Sequence, residues 1–193
     1  MIKKLYDWVE HWAQTPYGVW ALFLLALAES SFFPIPPDVL LIALAVTHPK
    51  AGLKFAAVCT LGSLLGGALG YLIGWQFMAV IGEGIVNFYG VTDKVAHIEA
   101  LYHQYDAWAI AIAGFTPIPY KVFTITAGMF KVDFGVFLLA SALGRAGRFF
   151  LVGGLIYLFG KPIQAFIERY LNLLVIGFTV LLIGGFILIK FLL

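Results

Sequence analysis

Two apolar segments of this chain are long enough to cross a lipid bilayer as helices. Residues 55–80 and 134–160 each exceed the roughly 20 residues that a spanning helix needs. The chain is 62% apolar and only 11% charged, whereas soluble proteins average about 45–50% apolar and about 25% charged residues. A soluble core of 193 residues could not hide this much apolar surface. The sequence therefore predicts an all-α integral membrane protein with a single domain over residues 1–193, and it argues against a soluble enzyme.

Two further apolar segments, 17–46 and 108–130, are each interrupted by closely spaced prolines. The prolines of the two breaks are Pro34, Pro36 and Pro37, and Pro117 and Pro119. Proline removes a helix hydrogen bond and clashes with the preceding turn, so neither segment can continue as one helix. Irregular backbone at membrane depth persists only where protein or a water-filled cavity surrounds it. We therefore predict two re-entrant hairpins, each of which enters the membrane and returns to the same side.

The two proline breaks and the helices that follow them are copies of each other. Pro34-Ile35-Pro36 matches Pro117-Ile118-Pro119, and downstream Leu61-Gly62-Ser63 matches Leu143-Gly144-Arg145 at nearly the same offset. These matches define repeat one over residues 17–80 and repeat two over residues 108–160. Most basic residues fall on the cytoplasmic side if the two repeats have opposite orientations, as the positive-inside rule favours. We therefore predict an inverted repeat, a layout common among secondary transporters.

Glycine occupies every fourth position along one side of the first long helix. The members of this glycine stripe are Gly62, Gly66, Gly70 and Gly74. Such a stripe lets another helix approach closely, and either a helix of the same chain or one of a second chain could use it.

The two ends of the chain complete the predicted architecture. Residues 1–14 place aromatic and charged side chains at helical spacing, which is typical of an amphipathic helix at the membrane interface. Residues 170–189 are apolar and long enough for a C-terminal transmembrane helix.

Five ionisable side chains fall inside otherwise apolar segments. They are Glu29 and Asp38 beside the first break, Lys121 just after the second, and Arg145 and Arg148 in the second long helix. Arg145 lies roughly 17 Å along from residue 134, near the middle of a hydrocarbon core about 30 Å thick. An arginine there costs at least about 2.5 kcal/mol, so it needs a partner or water. Arg145 and Arg148 share one helix face, and their planar donor groups suit bidentate contact with phosphate or carboxylate.

Each of these residues also has a purely structural interpretation. Arg145 and Arg148 are interfacial anchors if their helix begins later than residue 134, and Lys121 can extend its ammonium to the interface. Glu29 can satisfy backbone groups that the prolines leave free, and Asp38 can stabilise the start of a helix. Asp38 and Lys121 occupy equivalent positions of the two repeats with opposite charge, so they could meet at the centre of an inverted pair.

At these residues the chain resembles the DedA family, the bacterial branch of the VTT-domain membrane proteins. The resemblance covers about residues 17–160 and rests on residues 29–38 (ESSFFPIPPD), 70–74 (GYLIG), 115–121 (FTPIPYK) and Gly144-Arg145. It implies two facing re-entrant hairpins in a multi-pass protein of the bacterial cytoplasmic (inner) membrane. It also implies movement of phospholipids or polyprenyl-phosphate carriers between leaflets, with coupling to protons left open.

The resemblance also assigns roles to particular residues. The membrane-embedded acids of the family correspond to Glu29 and Asp38. The second hairpin of the family carries an arginine before and after the proline, whereas this chain has Gly114-Phe115 before it and Lys121 after it. We expect Arg145 and Arg148 to supply the positive charge that this departure removes.

The leading expectation is a lipid transporter that is not an enzyme. Lys121, Arg145 and Arg148 would hold the lipid phosphate, while Glu29 and Asp38 would exchange protons or pair with those bases when the site is empty. The expected partners are membrane lipids (a polyprenyl phosphate or a phospholipid) and protons, with no cofactor and no metal; a homo-oligomer is left open. A net charge of +2 gives no basic surface for nucleic acid.

Two other classes of function compete with this expectation. A proton-coupled transporter of a small ion or solute would use the same carboxylates, and its basic residues would be structural. A membrane enzyme acting on lipid phosphate would need a nucleophile and a base, or a metal cluster. No histidine lies in the apolar segments, which argues against the enzyme.

Overall fold

The computed structural model describes residues 17–33, 35–90, 92–116 and 118–160. For Lys94, His97, Ile98 and residues 101–106 it describes the backbone only. The predicted interfacial helix 1–14, the predicted C-terminal span 170–189, Pro34 and Pro117 lie outside the described residues.

The described residues form helices and no strands, which confirms the predicted all-α class. The α-helices are α1 (Gly18–Ser31), α2 (Asp38–Thr47), α3 (Gly52–Phe77), α4 (Glu83–Tyr89), α5 (Thr92–Phe115), α6 (Tyr120–Met129) and α7 (Phe134–Phe159). A single 3₁₀ turn (Pro49–Ala51) precedes α3, and a π-helical turn (Met78–Gly82) joins α3 to α4.

Both proline breaks separate two helices where the sequence predicts them. At the first break, the backbone N–H groups of Phe32 and Phe33 both donate to the carbonyl of Ala28, 2.9 and 2.8 Å away, and α1 ends there. Pro37 then precedes α2, and Asp38 supplies a carboxylate to the first turn of that helix, where the helix dipole favours negative charge. At the second break, Pro119 precedes α6 in the same way.

The helix that precedes the second proline break, α5, is longer than the sequence predicts. The sequence predicts an amphipathic surface helix over residues 92–105 and a separate apolar arm from residue 108, but α5 runs unbroken through both, from Thr92 to Phe115. No proline occurs between residues 92 and 115, and the one glycine there, Gly114, comes at the very end. Nothing in this sequence therefore interrupts the helix until the second break.

Within the described residues, two helical stretches are long and apolar enough to cross a membrane. They are Pro49–Tyr89, with 41 residues, and Phe134–Phe159, with 26 residues. Large apolar side chains point outward from the second stretch: Leu139, Leu143 and Leu158 are 69%, 74% and 72% exposed. Water does not favour so much exposed apolar surface on neighbouring turns, whereas lipid does.

The glycine stripe places α3 at the centre of the described fold. A side chain at Gly62 or Gly66 would collide with the backbone of α1, at the carbonyls of Phe23 and Leu27. A side chain at Gly70 would collide with Thr124, and one at Gly74 with the backbone of Ile125, both on α6. One helix face thus packs closely against helices from both halves of the same chain, and this contact brings the two proline breaks together.

Candidate functional site

A cavity of about 380 Å³ lies between the two proline breaks and α7. Its lining includes all five ionisable residues that the sequence singles out, together with apolar and proline residues of both breaks. The lining residues are Glu29, Phe33, Pro36, Asp38, Thr116, Ile118, Pro119, Lys121, Arg145 and Arg148. α1 and α2 contribute the two carboxylates, α6 contributes the lysine, and α7 contributes both arginines.

Arg145 is buried, and its guanidinium contacts a carboxylate, two hydroxyls and two aromatic rings. Only 3% of it is exposed, and its guanidinium forms an ion pair with Glu29. The guanidinium also donates to the hydroxyls of Ser63 and Ser30. Its central carbon lies 4.7 Å from the ring centre of Tyr120 and 4.8 Å from that of Phe149. These contacts supply the partners that a deep arginine requires.

Arg148 makes a two-point contact with Asp38. Nε donates to Oδ1 at 2.9 Å and Nη2 donates to Oδ2 at 3.0 Å, the parallel geometry that favours an arginine over a lysine. Nη1 donates to the carbonyl of Phe115 at 3.3 Å. The two side chains are 20% and 17% exposed, so water reaches this pair more readily than it reaches Arg145.

Lys121 has no carboxylate partner among the described residues. Its ammonium donates to the carbonyl of Phe33 at 3.4 Å, a long and weak hydrogen bond. The sequence suggested that Asp38 and Lys121 could pair. Both residues line the same cavity, but the carboxylate of Asp38 pairs with Arg148 instead.

Three polar residues that the sequence analysis does not assign to the site connect its parts. The hydroxyls of Ser30 and Ser63 are 2.7 Å apart. The hydroxyl of Thr124 donates to the carbonyl of Ser30 at 3.1 Å and to that of Lys121 at 2.9 Å. The repeat alignment offered a signal for Ser63, because it is the residue that aligns with Arg145, and the two side chains are in contact.

The two rings that enclose the Arg145 guanidinium carried no distinguishing sequence signal. Tyr120 and Phe149 are both fully buried. Each stands in an apolar stretch rich in aromatic residues, where a ring is the expected core residue.

The site has no arrangement suited to a metal ion in the described part of the chain. No group of three or more His, Cys, Asp or Glu side chains converges there. The two carboxylates of the cavity are each engaged by an arginine instead. The arrangement brings three cationic side chains and two carboxylates to one cavity, and its guanidinium donors have the geometry that suits a bidentate oxyanion.

Comparison with known sequences assigns the family. A sequence profile of the VTT domain matches residues 33–158, a range that begins in the first break and ends in α7. The chain belongs to the VTT-domain (DedA) family. The matched range contains Asp38, Lys121, Arg145 and Arg148, while Glu29 lies just before it.

The relatives of this DedA-family chain match it over most of their length. An uncharacterized protein of Haemophilus influenzae is 33% identical over 180 residues, which cover 93% of this chain and 92% of that protein. An uncharacterized protein of Histophilus somni is 35% identical over 93% of both chains. An uncharacterized protein of the archaeon Methanocaldococcus jannaschii is 25% identical over 68% of this chain and 79% of its own. No solved structure matches the chain significantly. Membership of the family makes this a membrane protein.

Proposed function

We propose that this protein moves a phosphate-bearing lipid, a polyprenyl phosphate or a phospholipid, between the leaflets of the bacterial inner membrane. The observation that carries the proposal is the cavity itself. It joins two proline breaks in an apolar all-helical protein, and three cations and two carboxylates line it. Charged groups at such depth are costly, so they mark a route for a charged species.

The size of the cavity fits a head group rather than a whole lipid. Cavities for small molecules range from about 300 to 1,000 Å³, and this one has about 380 Å³. A long acyl or prenyl chain has no room inside and would remain in the bilayer. Phe32 and Phe115, which are 69% and 48% exposed, offer apolar surface at the two breaks for that chain.

The proposed roles of the charged residues follow from their contacts. Lys121 and Arg148 reach the cavity with long hydrogen bonds to backbone carbonyls, and a lipid phosphate could take the place of those acceptors. Arg145 adds positive charge from a fixed position. Glu29 and Asp38 pair with the arginines in the empty site. Protonation of either carboxylate would release its arginine and couple transport to protons.

We propose that the two halves form an inverted repeat of re-entrant hairpins in a multi-pass protein. Each half contains a break followed by a helix of 10 residues and a helix of 26 residues. The aligned residues Ser63 and Arg145 contact each other. Two equivalent positions meet in this way when they lie on a two-fold axis, which supports an axis running through the site.

The test is transbilayer movement in liposomes that contain the purified protein. Labelled polyprenyl phosphate and labelled phospholipid are compared, with and without a pH gradient, in wild type and in Arg148→Gln. Lys131→Gln is the matched control, because Lys131 is exposed in the link between α6 and α7. We expect movement that Arg148→Gln abolishes and Lys131→Gln preserves. Equal rates in both variants would refute the assignment of the site.

A proton-coupled transporter of a small solute is the second candidate, because about 380 Å³ would also enclose a small inorganic anion. The same liposomes distinguish the two candidates. Uptake of a labelled anion without any movement of lipid would favour the small-solute transporter, and lipid movement without uptake would favour the lipid transporter.

A further inference from the structure

We propose that the cavity selects its ligand by charge, and that Lys121 and Asp38 set this selection. With both carboxylates ionised, the site has one positive charge that no carboxylate balances, and Lys121 carries it. The site then takes a singly charged phosphodiester in preference to a doubly charged phosphomonoester. This inference rests on the proposed function and narrows its substrate class, because it ranks phospholipids, which are phosphodiesters, above polyprenyl phosphates, which are phosphomonoesters.

The charge count comes from the residues that line the cavity. Three are cationic and two are anionic, so the lining carries a net charge of +1. Each carboxylate pairs with one arginine, Glu29 with Arg145 and Asp38 with Arg148. Among the described residues Lys121 has a backbone carbonyl as its partner and no acid.

The available hydrogen-bond donors match this count. Arg145 is 3% exposed, and its donors already serve Glu29, Ser30 and Ser63. The donors that can turn to a ligand are the ammonium of Lys121 and Nη1 of Arg148, whose hydrogen bonds to carbonyls are 3.4 and 3.3 Å long. Bonds of this length are weak, so a phosphate oxygen would replace them at small cost.

A phosphodiester and a phosphomonoester differ in how they satisfy this site. A diester carries one negative charge and would neutralise the cavity. A monoester carries close to two negative charges at pH 8, because its second pKa is about 6. It would leave one excess negative charge in a site that is also lined by the apolar residues Phe33, Ile118 and Pro119, which is unfavourable.

Removing the negative charge of Asp38 would reverse the preference. Asp38→Asn removes one negative charge and leaves Arg148 without its acid, so the lining would carry two unbalanced positive charges. Such a site matches a phosphomonoester. Lys121→Gln removes the one unbalanced charge, so it should weaken the binding of the diester, and Lys121→Arg should retain that binding.

The experiment measures binding to the full-length protein in detergent at pH 8. The probes are dihexanoyl phosphatidylglycerol, a diester, and dihexanoyl phosphatidic acid, a monoester with the same chains. Wild type should bind the diester at least about tenfold more tightly, which corresponds to about 1.4 kcal/mol. Asp38→Asn should reverse the order of the two lipids, and Lys121→Gln should cost the diester about tenfold in affinity. Lys121→Arg, which keeps the charge, is the matched control.

A second pair of probes identifies the source of the phosphate. Glycerophosphoglycerol and glycerol phosphate carry the same two kinds of phosphate without acyl chains. If the protein prefers the diester only when the phosphate carries acyl chains, the site binds lipid head groups. If it prefers the diester in both pairs, the site also binds soluble phosphates.

Several results would overturn the inference. These are equal or tighter binding of the monoester by wild type, an unchanged order in Asp38→Asn, and no binding of either lipid. If Asp38→Asn does not fold, the Lys121 variants still decide, because equal diester binding by Lys121→Gln and Lys121→Arg contradicts the charge rule. Binding is measured separately from movement, so a failure of the charge rule and a failure of transport are distinguishable.

Discussion

The buried pair between Arg145 and Glu29 should make Glu29→Gln strongly destabilising. Arg145 is only 3% exposed, and Glu29 is the one acid that pairs with it among the described residues. Glutamine keeps the size of the side chain but removes the charge. The buried guanidinium would then have only neutral side-chain acceptors, the hydroxyls of Ser30 and Ser63 and the amide oxygen of the glutamine.

The size of the effect follows from the burial of the two partners. Removing one partner of a fully buried ion pair costs about 3–5 kcal/mol. Glu29 is 16% exposed, so water can reach the position of the lost charge, and the neutral acceptors remain. We therefore expect a loss of about 2–3 kcal/mol, which lowers the melting temperature of a chain of this size by about 4–12 °C.

The single cysteine of the chain provides the assay. Cys59 is fully buried, so a thiol-reactive dye added to the protein in detergent labels it only when α3 opens. Glu83→Gln is the matched control, because Glu83 is an exposed acid of α4 and its loss should shift the labelling midpoint by less than about 2 °C.

A double-mutant cycle separates the ion pair from other effects of the substitution. Arg145→Met removes the buried charge and leaves a side chain that fits between the two rings. Glu29→Gln should therefore cost much less in the Arg145→Met background, with a coupling of at least about 1.5 kcal/mol. Strictly additive effects, or a labelling midpoint for Glu29→Gln equal to that of Glu83→Gln, would falsify the argument.

Three further outcomes follow from the same contacts. Gly66→Ala should lower stability by about 1–3 kcal/mol, because its methyl group would collide with the backbone of α1. Gly84→Ala is the control and should not lower stability, because Gly84 has open space around it. Equal melting temperatures of the two variants in detergent would contradict this prediction. Ser63→Ala should cost about 1–2 kcal/mol by removing an acceptor from buried Arg145, measured by Cys59 labelling. Arg148→Lys should slow lipid movement about tenfold, because lysine cannot make the two-point contact; wild-type rates in liposomes would show that charge alone suffices.

The sequence could predict which charged side chains lie in the interior, because burial rules act on single residues. Prolines stop helices wherever they occur, so both breaks could be placed from Pro36, Pro37 and Pro119 alone. A charged side chain in an apolar segment must face protein or water, which identified Arg145 and Arg148 as interior residues. Their helix, α7, begins at Phe134 and ends at Phe159, close to the predicted limits of 134 and 160.

The pairing of charges could not be predicted from the same rules. Opposite charges at aligned positions suggested that Asp38 and Lys121 could meet, but Asp38 pairs with Arg148 instead. The choice depends on the crossing of α2 and α7, and neither helix alone contains that information. The continuation of α5 from the predicted surface helix 92–105 into the apolar arm was missed for a different reason. Its first part is polar, and helical spacing in a polar segment gives no signal for how far the helix continues into the apolar part.

The two arginines of the cavity differ in how they are held. Arg145 connects α7 to α1 and α3 through an ion pair and hydroxyl acceptors, and two aromatic rings pack against its guanidinium. Moving its side chain would break all three kinds of contact at once. Arg148 is held mainly by one carboxylate that water can reach, so a phosphate can compete for it at lower cost. An anion entering between the breaks would therefore reach Nη1 of Arg148 before it disturbs the pair of Arg145 with Glu29. Substitutions at Arg145 should first reduce stability, whereas substitutions at Arg148 should first reduce transport.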